Sequence, residues 1–119
     1  MIGCLRTYAT RHGAGPLPAE GQLQPPADAE LGGLAEPYRP PEPHNGDGSF
    51  AGAFRVAPHD PKWLRAAIDQ TMVDALAISH LDIYPQLATT KGLVPPETFA
   101  PVAIQAAGPT RAHRTFQAP

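Results

Sequence analysis

The residues best suited to chemistry fall in three short stretches. Ser79-His80-Leu81-Asp82 closes the apolar run Ala75-Leu76-Ala77-Ile78. A carboxylate just past a buried strand can accept two parallel, charge-assisted hydrogen bonds. The guanine edge offers N1–H and N2–H₂ in that arrangement. Asp82 therefore has two readings, a base-reading carboxylate or a cap on the following turn. His80, two residues earlier, is expected on the same face, where it could stack on a base, or it is plain surface. Arg11 and Arg55 lie in loop-like settings, and the Arg fork suits phosphate or carboxylate. Taken singly, each also reads as a solvated surface Arg. Gly13-Ala14-Gly15-Pro16 permits positive φ and close backbone approach. It is no Walker loop, because no Gly-Lys-Ser/Thr follows.

Other chemistries are disfavoured. His12, His44, His59, His80 and His113 never fall at i, i+3 or i, i+4, and Cys4 has no partner at a zinc spacing. No metal site is expected. A Ser79-His80-Asp82 triad is not expected either, since neighbours on a strand end point to different faces and no nucleophile elbow is present.

These residues need elements to hold them. Ile2 to Thr10 reads as a strand, followed by a shaped loop over 11–18. Residues 21–48 hold Pro25, Pro26, Pro37, Pro40, Pro41 and Pro43 with no hydrophobic period, and read as a long surface excursion. Phe50, Phe54 and Val56 at even spacing predict a strand with one apolar face. Asp60-Pro61 is a helix start, with Asp60 as N-cap and Pro61 at the first helical position. Leu64, Ala67, Ile68, Thr71 and Met72 then predict one buried helical stripe, with Arg65 and Asp69 paired outside. Ala75 to Ile78 suits a central parallel strand covered on both faces. Ligands gather beyond the C-terminal ends of such strands. Val102-Ala103-Ile104 is a further strand leading to Gly108-Pro109. The fold class is α/β: a partial, mostly parallel sheet with one clear helix and long Pro/Gly-rich loops.

Composition agrees. Sixteen Pro and eleven Gly make 27 of 119 residues, just under the roughly 25–30 % where low complexity dominates. The length suits one domain, 1–119, made of a strand and Gly/Pro loop (1–20), the Pro-rich excursion (21–48) and an α/β part (49–119). Nine Lys and Arg against eleven Asp and Glu leave no basic footprint for nucleic acid or membrane. The single Cys4 suits a reduced, cytoplasmic setting, and no apolar run reaches a membrane span or a signal peptide.

Three segments, in order, resemble adenylosuccinate synthetases. Tyr8-Ala9-Thr10-Arg11-His12-Gly13-Ala14-Gly15-Pro16-Leu17-Pro18-Ala19-Glu20 is similar to the family's Y-x-T-R-x-G-x-G-P-x-P-T-E stretch, with Ala19 for Thr. Ala77 to Asp82 resembles its L-T-K-L-D guanine-specificity segment, with Ser79 and His80 for Thr and Lys. The helix before it matches D-x-x-x-x-R-x-A at Asp60, Arg65 and Ala67. Gln105 to Arg111 is similar to the S-x-G-P turn over the guanine base. The resemblance implies part of a P-loop-NTPase-like synthetase fold. The implied reaction joins IMP, or a related purine nucleotide, to L-aspartate: GTP phosphorylates the purine 6-oxygen and the amine displaces that phosphate.

By position, Asp82, His80, Gly108 and Ala106 would bind GTP, and Arg11, His12 and Arg55 the nucleotide and aspartate. The family's T-T-G-R-x-R-R loop is reduced here to Gly48-Ser49-Phe50-Ala51-Gly52-Ala53-Phe54-Arg55. His44-Asn45 and Phe54-Arg55-Val56 are similar to archaeal and phage members, some of which use a deoxyguanine nucleotide. The segment between Asp82 and Gly108 is shorter than in bacterial members. The family's G-D-E-G-K-G phosphate loop and catalytic His do not occur in this sequence. No catalytic residue is therefore expected here, and Mg²⁺ ligands belong with a separate N-terminal half. That half, or a homodimer partner, is the expected protein partner. A non-catalytic guanine nucleotide-binding module is the alternative.

Overall fold

The run from Ile2 to Thr10, expected as one strand, divides in the computed structural model into β1 (Ile2–Arg6) and β2 (Ala9–His12). The reason lies at Thr7 and Tyr8. Both side chains are fully buried, and the backbone changes partner there. Thr7 Oγ1 donates to the His80 carbonyl at 3.3 Å, and the Thr7 carbonyl accepts from Ala88 N at 2.8 Å. The structure describes residues 1–24, 40 and 52–117. The expected excursion therefore lies largely outside the described residues, with Phe50, His44 and Asn45.

After β3 (Phe54–Ala57) comes α1 (Pro61–Thr71). Asp60 caps it, its carboxylate accepting Lys62 N at 2.9 Å, and Pro61 opens it. The predicted buried stripe is corrected. No helical residue is fully buried; Leu64 and Ile68 are half-buried, while Ala67, Thr71 and Met72 are exposed. A lone helix on a narrow sheet meets it along one i, i+4 row. Met72 is the left-handed C-cap at φ 56°, its N–H bonded to Ile68 O, so it sits past the contact row. Arg65 lies 3.9 Å from Asp69, as expected, and also ties α1 to the next turn by donating to Phe99 O and Thr98 O.

The main sheet contains β4 (Ala75–Ser79), β7 (Val102–Ala106) and β8 (Arg114–Phe116), in the order β1-β4-β7-β8. The first three strands run parallel and β8 is antiparallel. The fold is thus α/β, with a mixed, mostly parallel four-stranded sheet and one α-helix among the described residues. Leu76, Ile78 and Val102 form the core against α1, with Leu5, Ile68, Val73 and Phe99 packed on it. β4 is central: Leu76 and Ile78 are buried in this core, Ala75 is buried as well, and Ala77 is half-buried.

A second core joins Tyr8, Leu23, Phe54, Val56, Tyr84 and Ala88. It sits between the β2–β3 antiparallel pair and a hairpin of β5 (Leu87–Thr89) and β6 (Gly92–Val94). The hairpin and β8 have no counterpart in the predicted elements. His59 ties these parts together. Its N–H bonds Ala88 O, its carbonyl accepts Thr90 N, and Nε2 lies 2.8 Å from Arg6 O. A carbonyl only accepts, so the ring carries its proton on Nε2. Burial lowers the His59 pKa, opposed in part by that bond.

Candidate functional site

The C-terminal edge of the main sheet holds one predicted cluster. β4 stops because His80 adopts φ 67°, a left-handed conformation that His tolerates better than most residues. That twist aims the His80 carbonyl into the turn, where it accepts Ile83 N at 3.1 Å and Tyr84 N at 2.9 Å. Leu81 N donates to Ala106 O at 3.1 Å, so the turn after β4 sits beside the end of β7. Asp82, His80, Ala106 and Gly108 are thereby gathered at one edge.

The two readings of Asp82 now separate. The turn is closed by the His80 carbonyl, and the exposed Asp82 carboxylate accepts no hydrogen bond among the described residues. It does not act as the turn cap. His80 does not continue the strand alternation toward Asp82, because its backbone leaves the strand. Its half-buried ring meets Tyr8 edge-on at 6.0 Å, and its Nδ1 lies 2.9 Å from Ser79 Oγ. The expectation that Ser79 and His80 diverge is corrected by this contact, which the left-handed backbone permits.

Gly108 packs closely on the turn that follows it. A Cβ there would lie 2.4 Å from the His113 ring. That ring closes the 107–113 turn: Nδ1 accepts Thr110 N at 3.3 Å and lies 2.8 Å from Thr110 Oγ1, while Ala107 N donates to His113 O. Sequence reasoning missed His113. The available signal was Thr110 three residues before it, the spacing of a capping box.

Arg11, His12 and Arg55 form the second cluster, on β2 and β3. Arg11 and Arg55 are direct cross-strand partners, a like-charged arrangement that opposes pairing. Internal contacts offset it. Arg55 Nε and Nη2 donate to the two carboxylate oxygens of Glu20, each at 2.7 Å, and Nη1 donates to Gly13 O at 2.7 Å. This bond lowers the Glu20 pKa and raises that of Arg55. Arg11 turns back to the carbonyls of Ala14 and Pro16 at 3.3 and 3.4 Å. His12 packs on Phe54 at 5.0 Å. The Gly residues act as expected: Gly13 and Gly15 have φ 76° and 125°. A Cβ on Gly15 would strike the Arg11 guanidinium at 2.3 Å. Glu20 was quoted only as part of a motif; its ion pair spans 35 positions, beyond any local pattern.

A cavity of about 340 Å³ lies elsewhere, lined by Gln22, Gln24, Tyr84, Thr89, Thr90 and Gly92 among others. None of the seven predicted residues lines it, and its described lining carries no charge to meet a phosphate or carboxylate. No group of three or more His, Cys, Asp or Glu suited to a metal ion occurs among the described residues. No helix among them is long and apolar enough to cross a membrane. Comparison of the chain with family models, curated proteins and solved structures finds no match in any of the three.

Proposed function

We propose that the C-terminal edge of the main sheet reads a guanine base, and that the chain is the guanine-nucleotide-binding part of an adenylosuccinate synthetase-like ligase of purine biosynthesis. The observation that carries this is the exposed Asp82 carboxylate. It stands on a turn held by backbone bonds to His80 and Ala106, so the carboxylate is not spent on the fold. Guanine N1–H and N2–H₂ would donate to its two oxygens. Adenine lacks that donor pair, so ATP would leave the carboxylate unmatched. The Ala106–Gly108 turn would form the neighbouring wall, with His80 behind. A synthetase frame of the P-loop NTPase kind is part of the same reading.

In this reading Arg11, His12 and Arg55 serve the purine nucleotide and L-aspartate. Arg55 would do so by shaping the Gly13–Gly15 loop, since its donors already meet Glu20 and Gly13. Phosphoryl transfer needs a phosphate cradle and a metal. The sequence holds no G-D-E-G-K-G phosphate loop, and no group of three or more His, Cys, Asp or Glu that could hold a metal ion occurs among the described residues. A separate polypeptide bearing those groups is the proposed partner, in a cytoplasmic setting.

Calorimetry of the chain with GTP and with ATP tests the proposal. GTP should bind and ATP should not, and Asp82→Asn should weaken GTP by about tenfold or more, roughly 1.4 kcal/mol. Equal affinity for both nucleotides, or unchanged binding in the variant, would overturn it. Incubation with GTP, Mg²⁺, IMP and L-aspartate should yield no succinyl-nucleotide from this chain alone.

A further inference from the structure

The cavity beside the β5–β6 hairpin belongs to neither cluster of candidate residues. It holds about 340 cubic ångströms, at the small end of ligand-binding cavities. Its floor is the buried Tyr84, Ala88 and Thr89. Gln22, Gln24 and Thr90 line it as exposed residues, and their side chains make no hydrogen bond among the described residues. Backbone groups hold them in place instead. Gln22 N donates to Ala19 O at 3.0 Å, the Gln24 carbonyl accepts the Tyr84 hydroxyl, and Thr90 N donates to His59 O at 2.9 Å. Two carboxamides and a hydroxyl are thus fixed at the cavity and unspent.

The hairpin adds a backbone edge to the same place. Ala88 faces Leu93 across it. Ala88 N donates to Thr7 O and Ala88 O accepts His59 N, each at 2.8 Å. Both backbone groups of Ala88 therefore point away from β6. Facing residues in an antiparallel pair alternate between bonded and unbonded, so Ala88 and Leu93 are an unbonded pair. Leu93 then turns its own N–H and C=O outward, away from β5. Leu93 lines the cavity, and neither of these groups has a partner among the described residues. A strand added to such an edge binds through main-chain bonds, while a neighbouring pocket selects its side chain.

We propose that β6 accepts an extended segment of another protein at Leu93, and that the cavity takes one uncharged carboxamide side chain, Asn or Gln, of that segment. The lining selects the class. Gln22 and Gln24 each present donors and an acceptor, and a carboxamide answers both kinds. A carboxylate brings only acceptors and an ammonium only donors, and no described lining residue carries the opposite charge. An aromatic side chain finds no ring face to stack on, because Tyr84 is fully buried. An aliphatic one would cover the amides and the Thr90 hydroxyl without pairing them, which costs free energy. One main-chain pairing and one side chain make a small contact, so the affinity is weak, roughly millimolar.

Nuclear magnetic resonance titration of the isotope-labelled chain tests this. The probe is N-acetyl-Ala-Gln-Ala-amide, and two comparison peptides carry Glu or Leu in place of the Gln. The Gln peptide should shift the backbone amide signals of Gln22, Gln24, Thr90 and Leu93. The Leu93 N–H should move downfield as it gains an acceptor. The Glu and Leu peptides should bind about fivefold more weakly or worse, the loss of about one hydrogen bond. Gln24→Ala, at an exposed position, should weaken the Gln peptide by about fivefold while the signals of the two cores stay where they are in wild type. Equal binding of the three peptides, a Leu93 amide that does not move, or unchanged affinity in Gln24→Ala would each overturn the proposal. So would the absence of any shift up to the solubility limit of the Gln peptide. Acetamide binding as tightly as that peptide would assign the cavity to a free amide and overturn the strand pairing.

Discussion

The two clusters of candidate residues are built in opposite ways. At the C-terminal edge of the main sheet, backbone groups hold the turns and the Asp82 carboxylate is left to solvent. On the β2–β3 pair, side chains hold the loop: Arg55 is clasped by Glu20 and Gly13, and Arg11 by Ala14 and Pro16. A charged group already held by the fold must give up those bonds before it can serve a ligand. Residue types alone make the two clusters look equivalent. Their hydrogen bonds separate a region that leaves a carboxylate to solvent from one whose side chains shape a loop.

Glycine substitutions test that contrast most strongly. Gly52 has φ 77°, and a Cβ there would lie 2.8 Å from the Gly13 Cα. Backbone cannot swing aside as a side chain can. Gly52→Ala should therefore cost about 1–3 kcal/mol of stability and disorder the Gly13–Gly15 loop. Gly108→Ala meets only the His113 side chain, which can move by giving up its bonds to Thr110. Its cost should be nearer that of a lost cap, about 1 kcal/mol, with a larger loss in GTP binding. Urea unfolding of both variants checks the order, and a Gly108→Ala variant less stable than Gly52→Ala would reverse the contrast.

The sequence made some of this architecture readable and hid the rest for physical reasons. α1 was legible because Asp60-Pro61 is a local start signal. β4 and β7 were legible because continuous apolar runs survive without knowledge of partners. The break at Thr7–Tyr8 was not, since both residues suit a strand and the change of partner depends on Ala88 and His80, more than seventy positions away. The β5–β6 hairpin is three residues a side, too short for period two to stand out. At the site, Asp82 was legible as a residue at a strand end. That its carboxylate would be left unspent depended on the φ of His80, which no pattern encodes.

The link between the regions should be pH-sensitive. His59 bridges β1, the hairpin and the start of α1, and burial lowers its pKa from the ordinary 6.5. The folded chain then keeps the ring neutral where the unfolded chain takes up a proton. Stability is full above 6.5, falls as pH drops below it, and levels once the folded ring also protonates. For one proton the slope cannot exceed about 1.4 kcal/mol per pH unit. Glu20, whose pKa is lowered from 4.5 by Arg55, loses its contribution only as pH falls below that value. Urea midpoints measured downward from neutrality should fall in two stages, and His59→Gln should remove the first. A wild-type profile flat between 6.5 and 4.5 would contradict the neutral, buried His59.

The smallest expected stability change falls at the residue proposed to matter most for binding. Asp82 is exposed, and its carboxylate makes no bond among the described residues, so Asp82→Asn should change stability by less than about 0.5 kcal/mol. Glu20→Gln should lower stability measurably, because it replaces the bidentate partner of Arg55 with a neutral amide that accepts through one oxygen. It should also expose the 13–20 loop to limited proteolysis. If Asp82→Asn proved as destabilising as Glu20→Gln, the carboxylate would be part of the scaffold. A guanine reader at the sheet edge would then lose its support, because it requires a fold that does not need Asp82.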